Sequence, residues 1–229
     1  YFQFESNALL DNLRKYVEQG GALVMLGGDR SFGIGDYGAT PLASVLPVII
    51  SDNSVPSLDA FLPQLTADGM RHPITRLAAD PLENGDWWSR LHPVDGTNTV
   101  VGLAPDASVL LTHPTLTASD GSPLPILAVR EVGAGRTMAL TVDSSWRWSL
   151  SEAAQGRGNQ AYLRFWKNAI RWLMKDSTVS RLSVDTPREN YAVGDEVRVV
   201  VRVRDPGFAA LEGADVVAQV RVGSKTTEL

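Results

Sequence analysis

Residues Leu9–Ser31, L-L-D-N-L-R-K-Y-V-E-Q-G-G-A-L-V-M-L-G-G-D-R-S, decide the fold expected of this chain. The first half places apolar residues at helical spacing, and Gly20-Gly21 ends the helix. The run Ala22–Leu26 is entirely apolar and lies between glycines, which is typical of a parallel strand covered on both faces. A strand that leads straight into glycines is how an α/β protein builds a site at the carboxyl edge of its sheet.

The segments that follow complete an α/β pattern. Gly133-Ala134-Gly135 predicts a hairpin turn, and Gln160–Met174 predicts a helix with one apolar face. We therefore expect a flavodoxin-like α/β domain over residues 1–176, with a mostly parallel sheet, flanking helices and one or more missing N-terminal strands. The extended segments predicted in this region are Thr99–Leu103, Ser108–Thr112, Ile126–Glu131 and Arg136–Val142.

The composition changes near residues 176–180, and all six tryptophans lie before this point. Beyond it, residues 177–229 alternate apolar and polar side chains between turn signals, as antiparallel strands do. We expect the start of an Ig-like β-sandwich, truncated because the segment is too short for seven strands.

Charge and composition exclude several classes of function. The formal net charge is -5 and no Lys/Arg cluster is present, which argues against a nucleic-acid surface. The chain has no cysteine, which removes thiol nucleophiles, disulfides and thiolate metal sites. His72, His92 and His113 each precede a proline, and their wide spacing matches no compact metal motif. We predict neither a metal nor a cofactor.

Several motifs together resemble a known family. They are Leu13–Gly28, Ser31-Phe32-Gly33 with Tyr37, Thr40-Pro41-Leu42, Leu46-Pro47-Val48, His72-Pro73-Ile74, Gly133–Arg136, Asp143–Trp148, Phe165-Trp166 and Tyr191–Asp195. This set resembles the glutamine amidotransferase-like domain of large bacterial membrane-anchored proteins, with the β-sandwich that often follows it. The resemblance implies an extracytoplasmic location in the bacterial cell envelope.

The resemblance also allows the expected catalytic positions to be compared. Class I amidotransferases carry a cysteine on a sharp turn after a strand, and that turn falls here at Leu26, Gly27 or Gly28. The histidine that acts as its base would follow a later strand, where this chain has Asp143. Without the thiol and its base, cysteine-dependent glutaminase chemistry is excluded for these residues. The resemblance then implies a pseudoenzyme pocket in which Gly27, Gly28, Asp29 and Ser31 face Asp143 and Trp146.

Each part of this pocket has a structural alternative. The backbone N–H groups of residues 29–31 could receive an anion or a carbonyl, or the glycines could simply permit a tight turn. Asp143 and the tryptophans could hold a polar or sugar-like ligand. Alternatively, the tryptophans cap the sheet while Asp143 pairs with Arg147 or caps the next turn. Trp87-Trp88 favours core or interdomain packing over an exposed interaction surface.

Two functions therefore remain open at this point. The first is a non-catalytic binding or scaffolding domain, with a small polar ligand or a protein as partner. The second is a hydrolase or transferase that uses Asp143 or Asp29 as a general base, which needs a second catalytic group within hydrogen-bond reach.

Overall fold

The computed structural model describes residues 7–50, 56–156, 158–176, 179–188, 190–192, 194–205, 208–217, 219–222 and 225–228. The chain divides into two compact units, Tyr1–Ser180 and Arg181–Leu229. The sequence places this boundary a few residues earlier, after residue 176. None of the described helices is long and apolar enough to cross a membrane.

The first unit is built on a five-stranded mixed sheet with the strand order β1-β7-β6-β5-β3. Strand β1 runs parallel to β7, and the other neighbours in this sheet are antiparallel. Strands β2 and β4 form a separate antiparallel pair. The strands are β1 (Ala22–Leu26), β2 (Val48–Ile49), β3 (Gln64–Leu65), β4 (Gly102–Leu103), β5 (Ala107–Thr117), β6 (Pro123–Val132) and β7 (Gly135–Leu140).

Helices flank this sheet, which confirms the predicted α/β, flavodoxin-like fold class; in its described part the sheet is mixed, with β1 and β7 as the one parallel pair. Leu10 and Val17 form the buried face of the first helix and pack with Leu42 and Val45 in one cluster of the core. Single 3-10 turns occur at 37–39, 41–44, 73–75 and 144–146. The helices are α1 (Asn7–Glu18), α2 (Ala67–Arg71), α3 (Pro81–Arg90), α4 (Arg147–Ala154) and α5 (Gln160–Leu173).

Strand β1 differs from its sequence-based expectation. Its apolar run predicts a strand covered on both faces, but its residues are only half-buried and Leu26 is exposed. In the described part of the sheet, β1 lies at one edge, whereas every residue of β7 is buried. The predicted hairpin at Gly133 is confirmed and joins β6 to β7. The fully buried strand is therefore the one that leads to Asp143.

The tryptophans of the first unit divide between core and surface. Trp148 is fully buried and makes edge-to-face contacts with Trp88 and Phe165 at ring-centroid distances of 5.5 and 5.3 Å. Trp88 is also buried, as the core interpretation of Trp87-Trp88 requires. Trp87 is half-buried beneath the guanidinium groups of Arg90 and Arg164.

The second unit consists of antiparallel strand pairs in its described part. Strand β8 (Leu182–Asp185) pairs with β9 (Val200–Val203), and β10 (Gln219–Val222) pairs with β11 (Lys225–Glu228). Antiparallel pairing agrees with the alternating sequence pattern. The Ig-like sandwich stays a prediction.

Candidate functional site

The carboxyl ends of β1 and β7 meet because the two strands are parallel and in register from Ala22–Arg136 to Leu26–Leu140. Just beyond this register, the N–H of Gly27 donates to the carbonyl of Leu140 at 2.8 Å. A Cβ atom at position 27 would lie 2.4 Å from the carbonyl oxygen of Thr141. Only glycine allows this close approach, so Gly27 brings the turn after β1 against the segment after β7.

Asn98 fixes the next residue of this turn. Its Oδ1 accepts from the N–H of Gly28 at 2.8 Å, and its Nδ2 donates to the carbonyl of Gly28 at 3.2 Å. Asn98 is fully buried, and its own N–H donates to the carbonyl of Thr141 at 2.8 Å. Gly28 has φ +135°, a backbone conformation that favours glycine. The amide of Asn98 therefore holds the β1 turn, the β7 end and its own loop together.

A cavity of about 280 Å³ opens at this junction. It brings together three of the six residues predicted for the site, Gly28, Asp29 and Asp143. The other lining residues come from two loops that the sequence pattern did not single out. The described residues that line the cavity are Gly28, Asp29, Pro56, Leu58, Asp95, Gly96 and Asp143.

Asp143 lines the cavity close to two of its glycines. Its Oδ2 lies 3.9 Å from the position that a Cβ would take at Gly28, and its Oδ1 lies 3.5 Å from the corresponding position at Gly96. The side chain is exposed and does not cap the 144–146 turn. Within the described ranges it makes no ion pair or side-chain hydrogen bond. The carboxylate is therefore available to a ligand.

The nearby arginine pairs with a different carboxylate. Nη2 of Arg147 lies 2.5 Å from Oδ2 of Asp95, so the alternative in which Asp143 pairs with Arg147 is wrong. Ser144 strengthens this attachment, since its Oγ accepts from the N–H of Asp95 at 2.8 Å and donates to the carbonyl of Asp95 at 2.7 Å. The capping alternative for Asp143 is wrong as well.

The remaining predicted residues lie beside the cavity. Oγ of Ser31 is 3.9 Å from the Cβ position of Gly28, next to the lining but outside it. Gly27 forms the packed base of the turn. Trp146 does not line the cavity; its ring is about half exposed and lies beneath the guanidinium of Arg147 at 5.5 Å.

The charges of the lining indicate which ligands suit it. Asp29 and Asp143 are exposed carboxylates, while the charge of Asp95 is balanced by Arg147. None of the described residues that line the cavity is a lysine, an arginine or a histidine. Hydroxyl and amine groups, which donate hydrogen bonds to carboxylates, fit this lining better than an anion does. Among the residues the structure describes, no group of three His, Asp or Glu side chains is arranged to hold a metal ion.

The loop from Asp95 to Asn98 is the part of the site that sequence reasoning missed. It supplies the partner of Arg147, the glycine beside Asp143 and the amide that holds Gly28. The available signal was the Asp95-Gly96 dipeptide, which is typical of a turn, followed by two polar residues before an extended segment.

Comparisons with known proteins agree with this architecture. The model of a family described as “Putative glutamine amidotransferase” matches residues 3–175. The solved structure of Cytoplasmic Protein STM3548 from Salmonella typhimurium is 25% identical, with a TM-score of 0.53 over 72% of this chain and 59% of that one. Cytoplasmic Protein STM1381 from Salmonella typhimurium LT2 is 24% identical, with a TM-score of 0.52 over 72% and 60%. The chain thus spans about three fifths of each of these structures. No curated protein is significantly similar to it.

Proposed function

Because the chain belongs to the glutamine amidotransferase-like family, we propose that its first unit is a non-catalytic binding domain for a small polar ligand. The ligand lies at the carboxyl ends of β1 and β7, against Gly28, Asp29 and Asp143. The observation that carries this proposal is Asp143, whose exposed carboxylate lines the cavity and is not neutralised by Arg147.

The dimensions and chemistry of the cavity support a ligand of modest size. Its volume of about 280 Å³ is just below the range of small-molecule sites, roughly 300–1,000 Å³. Carboxylates of Asp29 and Asp143 accept hydrogen bonds, and Leu58 with Pro56 offers an apolar wall. An amino acid amide, a polyamine fragment or a monosaccharide has donors and size of this kind.

The chain has the fold of the family but lacks the residues that glutaminase chemistry requires. The 229 residues contain no cysteine, and Asp143 follows β7 where the resemblance leads us to expect a histidine. A carboxylate cannot replace the thiolate and its base in glutaminase chemistry. The proposal therefore assigns the pocket to recognition.

A second candidate is a hydrolase or transferase with a carboxylate base. The same feature favours it, since an unpaired Asp143 in an open cavity can accept a proton. Asp29 lines the same cavity, and Oγ of Ser31 lies close to Gly28. This candidate requires turnover of a ligand found by binding, with product formation lost in Asp143→Asn. Binding without product keeps the non-catalytic assignment.

We also propose that the parent protein belongs to the bacterial cell envelope, where this domain acts as a scaffold outside the cytoplasm. The support is the resemblance of Leu13–Gly28 and Tyr191–Asp195 to domains of membrane-anchored proteins. The matched Salmonella proteins are described as cytoplasmic, which gives the opposite expectation. Protease accessibility of the tagged full-length protein in intact bacterial spheroplasts decides between the two locations.

A thermal-shift screen tests the binding function. The compounds are amino acids, amines, neutral sugars and nucleotides, because a ligand that binds the folded state raises its melting temperature. We expect amines or sugars to stabilise the wild type but not Asp143→Ala. The matched control is Asp59→Ala, which removes an exposed aspartate outside the cavity and should keep the shift. No shift with any compound, or an unchanged shift in Asp143→Ala, would contradict the proposal.

A further inference from the structure

We propose that the first unit has a second ligand site, an apolar cleft beside β3 that takes an uncharged aromatic group. The cleft lies among β3, α2, α3 and Pro114 of β5, and its volume is about 410 Å³. It is larger than the polar cavity at the strand ends and shares no lining residue with it. The described residues of its lining are Leu62, Pro63, Gln64, Leu65, Met70, Gly85, Trp88, Ser89 and Pro114.

The lining of the cleft determines the charge of its occupant. None of the side chains in the described lining is ionisable, so a charged group inserted among them would lose its hydration without gaining a charged partner there. The polar side chains of the lining, Gln64 and Ser89, are both exposed. A ligand can therefore place an apolar ring inside and direct a hydroxyl or amide toward these two residues.

Trp88 is the aromatic residue in the described lining of the cleft. Its side chain is 3% exposed, and its Nε1–H donates to the carbonyl of Thr75 at 2.8 Å. That bond occupies the only donor of the indole, so Trp88 adds no free hydrogen-bond donor to the lining. Ring carbons favour another aromatic group, through stacking or an edge-to-face contact.

Gly85 is the feature that keeps the cleft open. It lies inside α3, where glycine is less favourable than alanine. No atom lies within 4 Å of the position that its Cβ would take. By contrast, a Cβ at the helical Gly69 would lie 2.0 Å from the carbonyl oxygen of Leu110, so Gly69 is required for close packing. Gly85 has no such requirement, and a side chain at this position would enter the space of the cleft.

The size of the cleft suits one or two aromatic rings. A dry apolar cavity of about 150 Å³ accepts benzene, and small-molecule sites begin near 300 Å³. At about 410 Å³, the cleft can take a single ring with a substituent or a fused bicyclic ring.

The test uses toluene and indole as probes and benzoate as the charged analogue of toluene. In a ¹H–¹⁵N spectrum, the indole N–H of Trp88 is one of six such resonances and is assigned with Trp88→Phe. We expect toluene and indole to shift the Trp88 resonance saturably, and benzoate to bind at least tenfold more weakly. The five other tryptophans report any non-specific effect.

Variants at position 85 make the assignment specific. Gly85→Leu fills the cleft and should weaken toluene binding at least tenfold, whereas Gly85→Ala, which adds one methyl, should weaken it two- to fivefold. Glu83→Leu adds the same side chain to α3 outside the lining and should leave binding unchanged. The proposal is overturned if neither probe shifts Trp88 saturably, if Gly85→Leu binds toluene like the wild type, or if benzoate binds as well as toluene. None of these outcomes depends on Asp143, so the test is independent of the polar pocket.

Discussion

Arg147 and Asp95 form an ion pair, with 2.5 Å between Nη2 and Oδ2, that joins the start of α4 to the loop before β4. Each side chain is 28% exposed, so the pair lies at the edge of the polar cavity. The two residues are 52 positions apart, while Asp143 lies only four positions before Arg147 in the sequence. The guanidinium of Arg147 is thus paired with Asp95 of this loop and not with Asp143. The carboxylate of Asp143 lines the cavity.

The first prediction concerns the strength of this ion pair. A double-mutant cycle with Asp95→Ala and Arg147→Ala should give a coupling energy of about 1 kcal/mol, because a partly exposed pair is screened by solvent. Urea unfolding provides the four free energies of unfolding. The coupling should decrease as the salt concentration rises, and a coupling that is zero at low salt would contradict the assigned pairing.

The second prediction concerns the buried amide of Asn98. Asn98→Ala should lower the free energy of unfolding by about 2–3 kcal/mol, since it leaves the N–H and the carbonyl of Gly28 without their buried partner. Asn168→Ala is the matched control, because that side chain makes an exposed hydrogen bond to the carbonyl of Arg76. We expect the control to lose less than about 1 kcal/mol. Equal losses in the two variants would contradict the role assigned to Asn98.

The third prediction compares two helical glycines. Gly85→Ala should raise the free energy of unfolding by about 0.5–1 kcal/mol, because alanine favours the helix and its methyl group meets open space. Gly69→Ala should lower it by about 1–3 kcal/mol, because the added methyl overlaps the carbonyl of Leu110. Opposite signs in urea unfolding are the expected result, and a loss in both variants would show that position 85 is not open.

The fourth prediction concerns pH and His72. Burial lowers the pKa of His72 to about 3, and the positive charges of Arg136 and Arg76 act in the same direction. The folded protein therefore holds this imidazole neutral, whereas the unfolded chain protonates it below about pH 6.5. The stability due to His72 is complete above that pH and is lost as the pH falls from about 6.5 toward 3.

Its size can be measured by comparing wild type with His72→Asn, whose Oδ1 can accept the bond that Nδ1 of His72 accepts from the N–H of Ile74. Between about pH 7.5 and pH 5, the wild type should lose about 2 kcal/mol more than the variant. Burial also lowers the pKa of His113, and the comparison removes this contribution because both proteins contain His113. Identical pH profiles would contradict the shift assigned to His72.

The sequence allowed the strand ends of the site to be predicted, but not its loops. The apolar run of β1 and the glycines after it mark a strand and a close turn, and parallel pairing then brings Asp29 and Asp143 to one edge. Asp95 and Asn98 lie in a segment without clear periodicity. Their roles depend on partners 52 and 70 positions away, which no local pattern can reveal.

The position of Trp146 outside the cavity lining has a geometric cause. Trp146 and Trp148 are two positions apart at the start of a helical segment, so they cannot face the same way. One of them, Trp148, fills the core, and Trp146 therefore points elsewhere, beneath Arg147. The two tryptophans in sequence suggested an aromatic site. At helical spacing, however, residues two positions apart lie on different faces, so Trp146 and Trp148 cannot both line the same site.

The hydrogen bonds between Gly28 and Asn98 also determine at which stage of folding the polar cavity forms. The hydrogen bond between Gly28 and Asn98 closes a loop of 70 residues. The positions of Asp29 and Asp143 in the cavity depend in addition on the pairing of β1 with β7, two strands that are still farther apart in the chain. Contacts of such long range form late, because the entropy of closing a large loop is lost before they can contribute. A collapsed chain with its helices and the β6–β7 hairpin in place would still have no cavity. Ligand occupancy at Asp143 is therefore a measure of completed tertiary structure, which far-ultraviolet circular dichroism cannot provide.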